Sequence, residues 1–508
     1  MNFILPKKTF TMYKDATTEE IDKAMENAWK AFLQYRNMPL KSRADFMRSI
    51  GSELENNAYE LIKTAILETN LPEARLKSEL IRTVFQLNQY GEASEEGRWL
   101  EATIDTVNPD KRTLQHDIRK MLLPLGPVVV FGASNFPFAY STAGGDTACA
   151  FAAGCPVIVK AHPAHAETSE MVAAAILKAV QKCKMPEGIF AHIHGASVDV
   201  GKSLVMHKRT SAVGFTGSFA GGKQLFDWGN QREIPIPVFA EMGSVNPVFL
   251  LPEKLKSDYK EIVKMYAASI TQSVGQFCTN PGLILGIESE ELQKFIALLG
   301  KEIQKTAPAK MLHPGIAKAF NEKRNNALKQ KNVTMVSVSE IPEKENEGIP
   351  TIATTAGEAF LQNPVLHQEV FGPFSLVVAC KDINEMIEIA RNLEGQLTST
   401  LMATDNDFIS NGELIETVKD ICGRFILNGV PTGVEVCLSM QHGGPFPATT
   451  DSRFTSVGAD GIKRFARPVA FQNWENKLLP DALKDENPLN IWRVVNNEIS
   501  REKIGLQL

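Results

Sequence analysis

Residues 127–160 read PVVVFGASNFPFAYSTAGGDTACAFAAGCPVIVK, with two short valine-rich runs on either side of an alanine-rich segment that ends at Ala153. Between Lys120 and Lys160 the only charge is Asp146, and Pro124, Pro127, Pro137 and Pro156 interrupt the stretch. An apolar region broken in this way predicts buried strands joined by turns, because a membrane span needs about 20 uninterrupted residues. Strand, helix and strand in succession predict a parallel sheet, whose neighbouring strands need a crossover that a helix supplies.

The same alternation extends outward. Downstream lie a helix near 166–183, IFAHIHG at 189–195, a helix near 198–207 and SAVGFTG at 211–217. A second series follows Glu241: PVFLL at 247–251, a helix near 255–274, LILGI at 283–287, a helix near 289–306, then FSLVVA at 374–379 and RFILNG at 424–429. Two such series predict an α/β chain of two doubly wound lobes with a cleft between them. Upstream, Ile21, Ala24, Ala28, Ala31 and Phe32 recur at helical spacing, so residues 17–100 read as helical. The Lys/Glu-rich stretch 322–347 reads as a solvated surface excursion.

The 508 residues hold 54 basic and 59 acidic side chains, a formal charge of −5. That balance excludes the basic footprint of a nucleic-acid binder. The seven cysteines are an odd number, diluted over a long chain, which suggests a reducing compartment. The start, MNFILPKKTFTMYKDATTEE, lacks the apolar core of a signal peptide, and a cytoplasmic protein is expected.

No two glycines are separated by a single residue, so the G-x-G-x-x-G dinucleotide fingerprint is absent. Gly195-Ala-Ser-Val-Asp-Val-Gly201-Lys202-Ser203 comes nearest to a phosphate loop. It has five residues between its glycines where the Walker loop has four, which shifts the amide cradle. A helix N-terminus with Lys202 and Ser203 can still receive a phosphate, and an ordinary strand-to-helix turn is the alternative. His162 and His165 have metal-like spacing, but Pro163 lies between them and no third ligand is evident, so no metal is expected.

Four segments put reactive groups in turns: GASNFPF with Asn135, FAEMGSVNP with Glu241, GQFCTNPG with Cys278, and HQEVFGPF with Glu369. Cys278 is flanked by Gly275, Gln276, Asn280, Pro281 and Gly282, a flexible setting that suits a nucleophile, whereas the other six cysteines read as structural thiols.

In order and spacing these segments, with Lys160 in PVIVK and Phe215-Thr216-Gly217-Ser218, resemble the aldehyde dehydrogenase superfamily across almost the whole chain. Within it, the stretch from NGVPTGVEV to FARPVAFQNW is similar to that of NADP-accepting 2,5-dioxovalerate (α-ketoglutaric semialdehyde) dehydrogenases. The resemblance implies that Cys278 attacks the aldehyde and that Asn135 supports the oxyanion. It also implies that Glu241 activates the hydrolytic water and Glu369 binds the nicotinamide ribose. Lys160 then contacts the adenosine end, with Gly217, Ser218, Phe371, Lys202 and His162 around the coenzyme and Phe138 and Phe277 around the substrate; a cation should meet the remote carboxylate of an anionic semialdehyde, for which Arg453 is the candidate and a structural surface arginine the alternative. Glu241 is expected to be a carboxylate of modestly raised pKa in an apolar pocket. Relatives that prefer NAD often carry an acid three residues after the lysine. Pro163 stands there, so NADP should be accepted, with NAD as a second acceptor.

The implied organisation is a coenzyme domain (1–103 and 125–243), a catalytic domain (244–440) and a bridging β-element (104–124 and 464–475). A substrate-pocket loop and tail (441–463 and 476–508) complete it, in a homodimer or homotetramer. Two departures stand out. The family's Glu-Leu-Gly-Gly-Lys is here Glu241-Met-Gly-Ser-Val, and its PFGG-containing loop is here HGGPFPATTDSRFTSVG at 442–458. Both are expected to leave the catalytic atoms alone and to alter the substrate pocket. A fatty or general aldehyde dehydrogenase preferring NADP is the alternative. A CoA-acylating dehydrogenase, a non-catalytic nucleotide-binding protein and an ATP-dependent enzyme are more remote.

Overall fold

The computed structural model describes residues 13–107 and 115–505; the initial segment 1–12, residues 108–114 of the bridging element and residues 506–508 of the tail lie outside the described residues. Four helices come first: α1 (Thr18–Tyr35), α2 (Leu40–Asn56), α3 (Ala58–Thr69) and α4 (Glu73–Glu96). α1 opens with a capping box in which Thr17 and Glu20 satisfy each other's backbone N–H. Its Ile21, Met25 and Ala28 are buried against the first sheet.

Two short strands follow, β1 (Thr103–Asp105) and β2 (Ile118–Pro124). The first α/β series then runs β3 (Val128–Phe131), α5 (Gly145–Ala153), β4 (Val157–Lys160), α6 (Ala166–Lys182), β5 (Phe190–Ile193), α7 (Val198–Met206), β6 (Ala212–Thr216), α8 (Phe219–Gln231) and β7 (Val238–Glu241). Its five strands form a wholly parallel sheet in the order β5-β4-β3-β6-β7. Alternate side chains enter different cores. Val129, Ile158 and Val213 pack under α1, whereas Val128, Val130, Val157 and Val159 join the helices of the opposite face. Each fully buried valine contributes about 1.5–3 kcal/mol, and burial on both faces is why these strands are apolar throughout.

The second series holds β8 (Val248–Leu250), α9 (Pro252–Thr271), β9 (Leu283–Ile287), α10 (Glu290–Gln304), β10 (Ala309–Lys310), α11 (Pro314–Leu328), β11 (Thr334–Val338), β12 (Glu347–Gly348), β13 (Thr351–Ala356), β14 (Phe374–Cys380), β15 (Gln396–Met402) and β16 (Cys422–Leu427). Seven strands make a sheet ordered β11-β13-β14-β9-β8-β15-β16, parallel except for β11 at the edge; β10 and β12 form a separate two-stranded ribbon. The stretch 322–347 is therefore more than a surface excursion. It is largely exposed, yet it supplies the end of α11 and the edge strand β11.

A third sheet, ordered β17-β2-β1-β18-β19, uses β17 (Ala466–Gln472), β18 (Arg493–Val495) and β19 (Glu498–Ser500). The last two strands come from the segment read as tail. They are three residues long and lack apolar alternation, and the buried Arg493 anchors them through backbone carbonyls of Lys484, Asp485 and Glu502. Among the described residues no helix is long and apolar enough to cross a membrane.

Candidate active site

Strand ends of the parallel sheet gather the site. Lys160 closes β4, Glu241 closes β7, and Gly217-Ser218 follow β6, with Thr216 paired to Glu241. Asn135 lies in the turn after β3. Cys278 follows α9 through a contorted turn in which Ser273, Val274 and Gly275 all have positive φ (49°, 59° and 63°). A β-branched residue such as Val274 rarely adopts that conformation, so the surroundings enforce it. Gly275 has no alternative, since a Cβ there would strike the backbone of Gly372. The buried Gln276 side chain locks the turn, donating to Ser273 O at 3.1 Å and accepting from Leu312 N at 3.0 Å.

Asn135 reaches this turn, its Nδ2 donating to Gln276 O at 3.1 Å. The carbonyl of Asn135 accepts from Arg75, whose guanidinium lies 4.4 Å from the Phe136 ring centre and 4.8 Å from that of Phe277. Arg75 is paired with buried Glu79, which in turn accepts the N–H groups of Phe138 and Ala139. The turn bearing Asn135 is thus held from both sides.

Around the Cys278 sulfur the structure brings together more than the sequence announced. His442 Nε2 lies 3.6 Å from Sγ and 3.1 Å from Glu241 Oε1, and Ser456 Oγ donates to Glu241 Oε2 at 2.6 Å. His442 is fully buried and Glu241 is 3 % exposed. The expectation that the altered 442–458 loop leaves the catalytic atoms alone is therefore overturned. The loop lies along β7, with Met242 N donating to Ala448 O at 2.8 Å and a bridge between Glu241 and Thr449, which sets His442 and Ser456 over the carboxylate. Glycines make the approach feasible: a Cβ on Gly444 would collide with Gln396 O, and one on Gly423 with Gly443 O. Neither His442 nor Ser456 is legible from spacing, since both act from a loop some 200 residues beyond Glu241.

The electrostatics also differ from expectation. Burial alone would raise the Glu241 carboxyl, but the charge and hydrogen bond of His442, with the hydrogen bonds of Ser456 and Cys278, hold it below the usual value. Cys278 goes the other way. Burial, then the Glu241 and Glu369 carboxylates, push its thiol well above the ordinary range, with Arg82 opposing them. His442 Nδ1 is buried without a partner, so the ring's polar contacts lie on its Nε2 side, which faces both the sulfur and Glu241. The arrangement offers a thiol, a donor for its thiolate and an ionised carboxylate that can act as a base.

Glu369 lies over the catalytic strand end, where a Cβ on Gly243 would come within 2.7 Å of its Oε2. Burial raises its carboxyl to about 7. Lys160 is lowered by burial, and the charge of Asp15 opposes this. Asp15 accepts from Ala196 N at 2.7 Å and from Ser197, so a carboxylate of the chain itself already sits on the turn that leads into α7. That occupies the position a phosphate would take in the Gly195–Ser203 loop and argues against a phosphate loop there. Lys202 is exposed, on the first turns of α7. Ser218 caps α8, its Oγ accepting from Gly221 N, and Gly217 precedes it. His162 is an internal cap, its Nδ1 accepting from Ala164 N at 3.1 Å, and burial drives its pKa well down; His165 Nε2 is spent on Ala133 O at 2.8 Å. Phe371 is half-buried beside Gly372. Lys160, the α8 N-terminus and Glu369 are chemically suited to a nicotinamide dinucleotide: a cation and free amides for phosphates, and a carboxylate for ribose hydroxyls.

Of the expected substrate residues, only Phe277 joins the sulfur. It packs against Phe136 (ring centres 5.7 Å apart) in an apolar wall with Tyr140, Val434, Val436, Met440 and Val457. Phe138 is 1 % exposed and belongs to the main core, because alternate residues of the turn face opposite ways and Phe136 takes the pocket side. Arg453 is 80 % exposed at its side chain, paired with Asp451 at 2.6 Å, and lines a separate recess beside Lys120 and Lys463 of about 420 Å³. Arg75, Arg424 and Arg82 of α4 are the cations whose charge reaches Cys278; Arg75 is paired with Glu79 and Arg424 is bonded to the carbonyls of Pro431 and Gly433, which leaves Arg82. Its one hydrogen bond among the described residues goes to the Tyr140 hydroxyl at 3.2 Å, and its Nε is buried without a partner.

Comparison with known proteins supplies the remaining findings. The aldehyde dehydrogenase family model matches residues 5–444. The chain is 44 % identical over 480 residues to alpha-ketoglutaric semialdehyde dehydrogenase 2 of Azospirillum brasilense, covering 94 % of this chain and 91 % of that one. It is 42 % identical over 492 residues to alpha-ketoglutaric semialdehyde dehydrogenase of Acinetobacter baylyi, covering 96 % and 93 %. Among solved structures, glyceraldehyde-3-phosphate dehydrogenase of Methanocaldococcus jannaschii complexed with NADP shares the fold with a TM-score of 0.77 at 19 % identity, covering 92 % of this chain and 96 % of that one.

Proposed function

The chain belongs to the aldehyde dehydrogenase family, and from that premise we propose that it oxidises 2,5-dioxopentanoate, the semialdehyde of 2-oxoglutarate, with NADP as preferred acceptor. The observation that carries the reading is identity above 40 % to two α-ketoglutaric semialdehyde dehydrogenases over more than nine-tenths of every chain compared.

In this reading the Cys278 thiol gives its proton to solvent and the Nε2–H of His442 holds the resulting thiolate, while the Glu241 carboxylate stays ionised for the hydrolytic water. The sulfur adds to the aldehyde carbon, giving a thiohemiacetal whose oxyanion accepts from Asn135; one such donor is worth about 10²–10³ in rate. A bound nicotinamide coenzyme supplies the hydride acceptor. The thioester left on Cys278 is hydrolysed by a water whose proton passes to Glu241, releasing the carboxylate and the free sulfur. Retention of this carboxylate favours water over CoA as the acyl acceptor. Arg82, with no carboxylate of its own, is the cation for the substrate's remote carboxylate. Pro163 leaves the turn after Lys160 without an acid, which supports NADP. The free edge of β17 is suited to pairing between copies in a homodimer or homotetramer, which light scattering would size.

The apolar wall of Phe136, Tyr140, Phe277 and Val457 favours a second reading, an enzyme for long apolar aldehydes. Initial rates with 2,5-dioxopentanoate, succinic semialdehyde and a long-chain aldehyde, each with NADP and NAD, separate the two. A higher kcat/KM for the dioxo acid supports the first; a higher value for the apolar aldehyde replaces it with the second.

A further inference from the structure

Away from the sulfur, a second cluster converges on the edge strand of the five-stranded parallel sheet. His192 on β5 and His194 two residues on lie on the same side of the chain, as the strand period requires. Glu170 of α6 reaches between them. Its Oε2 is 2.9 Å from His192 Nδ1 and 2.9 Å from His194 Nε2, and all three ligand atoms lie within 4.8 Å of one another. Two imidazole nitrogens and a carboxylate are the donor set of a zinc site with one position left open.

Both imidazoles are also held by neighbouring side chains. His192 Nε2 is bonded to Ser169 Oγ at 2.8 Å, and that hydroxyl to Thr142 Oγ1 at 2.5 Å, which frees Nδ1 to face the carboxylate. The Tyr13 ring stacks on His194 with centres 3.8 Å apart and an interplanar angle of 6°, while its hydroxyl donates to Glu167. The imidazoles are nearly covered, with 6 % and 16 % side-chain exposure, whereas Glu170 is 49 % exposed, so the open side faces solvent.

We propose that Glu170, His192 and His194 form a divalent-cation site, with zinc as the preferred ion and water as its fourth ligand. Occupancy requires the three donors to separate from hydrogen-bond contact to the ~3.3 Å edge of a tetrahedron with ~2.0–2.1 Å bonds. The ion would fasten β5 to α6, and through the Tyr13 stack would steady the segment that places Asp15.

The competing site is Glu241, Cys278 and His442, also within 4.8 Å of one another. Zinc chloride is therefore titrated calorimetrically into the full-length Cys278→Ala chain, and cobalt(II) into the unmodified chain. One zinc per chain is expected. Binding should be lost in Glu170→Gln and His194→Ala, and weakened about 10–100-fold in Ser169→Ala, which removes only the orienting hydroxyl. A cobalt spectrum without thiolate charge transfer is expected for the first equivalent. Melting temperatures in chelator that match the parent establish that the variants fold, and the exposed, isosteric Glu170→Gln serves if His194→Ala does not. No stoichiometric binding, or binding that survives Glu170→Gln, overturns the proposal and leaves a hydrogen-bonded cluster.

Discussion

His442 Nε2 lies 3.6 Å from the Sγ of Cys278, although 164 residues separate the two in the chain. In an environment that raises the thiol well above its usual range, a donor at this position favours the thiolate. His442→Ala should lower kcat about 10²–10³-fold. Alkylation of coenzyme-free enzyme by iodoacetamide should already rise with pH into the alkaline range, and the variant's curve should lie further up. An alkylation profile that does not move would reduce His442 to packing.

Glu241→Gln should retain a burst of about one equivalent of reduced coenzyme and lose steady-state turnover by about 10² or more, because acylation precedes the step that needs the carboxylate. Rapid mixing reads both phases. The folded Glu241 carboxyl is depressed, so its contribution to stability is present above the ordinary carboxylate pKa and is lost as pH falls below it. The melting-temperature gap between parent and variant should accordingly narrow on acidification.

Arg82→Met should reduce kcat/KM for 2,5-dioxopentanoate about 10²-fold, as expected from losing a charge-assisted contact of about 1.5–3 kcal/mol. The loss for pentanal should be several-fold smaller. Equal losses for both aldehydes would show that Arg82 only supports Tyr140, while leaving the substrate preference of the parent as a separate result.

Glu369, raised to about 7 by burial, should make coenzyme binding pH-dependent. Its ionised form accepts ribose hydroxyls best, so the Kd should tighten as pH rises through about 7 and stay flat in Glu369→Gln. Stability runs oppositely: a raised carboxyl favours the fold below its unfolded pKa, and that contribution declines as pH rises towards 7. Fluorescence titration and thermal melts at pH 6 and 8 test the two signs.

Much of the architecture was legible because buried parallel strands must be apolar on both faces. Val128–Val130, Val157–Val159, Leu283–Ile287 and Phe374–Cys380 stand where the apolar runs announced them. β11 and β19 escaped because edge strands are half-solvated and carry no such run, and β18, paired on both sides, because it is only three residues long. The turns bearing Asn135, Glu241, Cys278 and Glu369 are legible as residue types in glycine- and proline-rich settings, whereas the facing of Phe138 and the placement of Arg453, expected to meet a remote carboxylate by its charge, depend on packing that the residue type does not reveal.

Sequence alone determined the two parallel-sheet series and the four segments whose reactive groups converge, since apolar periodicity and turn chemistry are local properties of the chain. Only the tertiary structure decided what surrounds the sulfur. The loop at 442–458 crosses β7 through close contacts that glycines permit, bringing His442 and Ser456 onto Glu241, and α4 delivers Arg82 from the far end of the chain. Those neighbours set the direction of each pKa, because charge and desolvation act through space over a few ångströms and are blind to separation along the sequence.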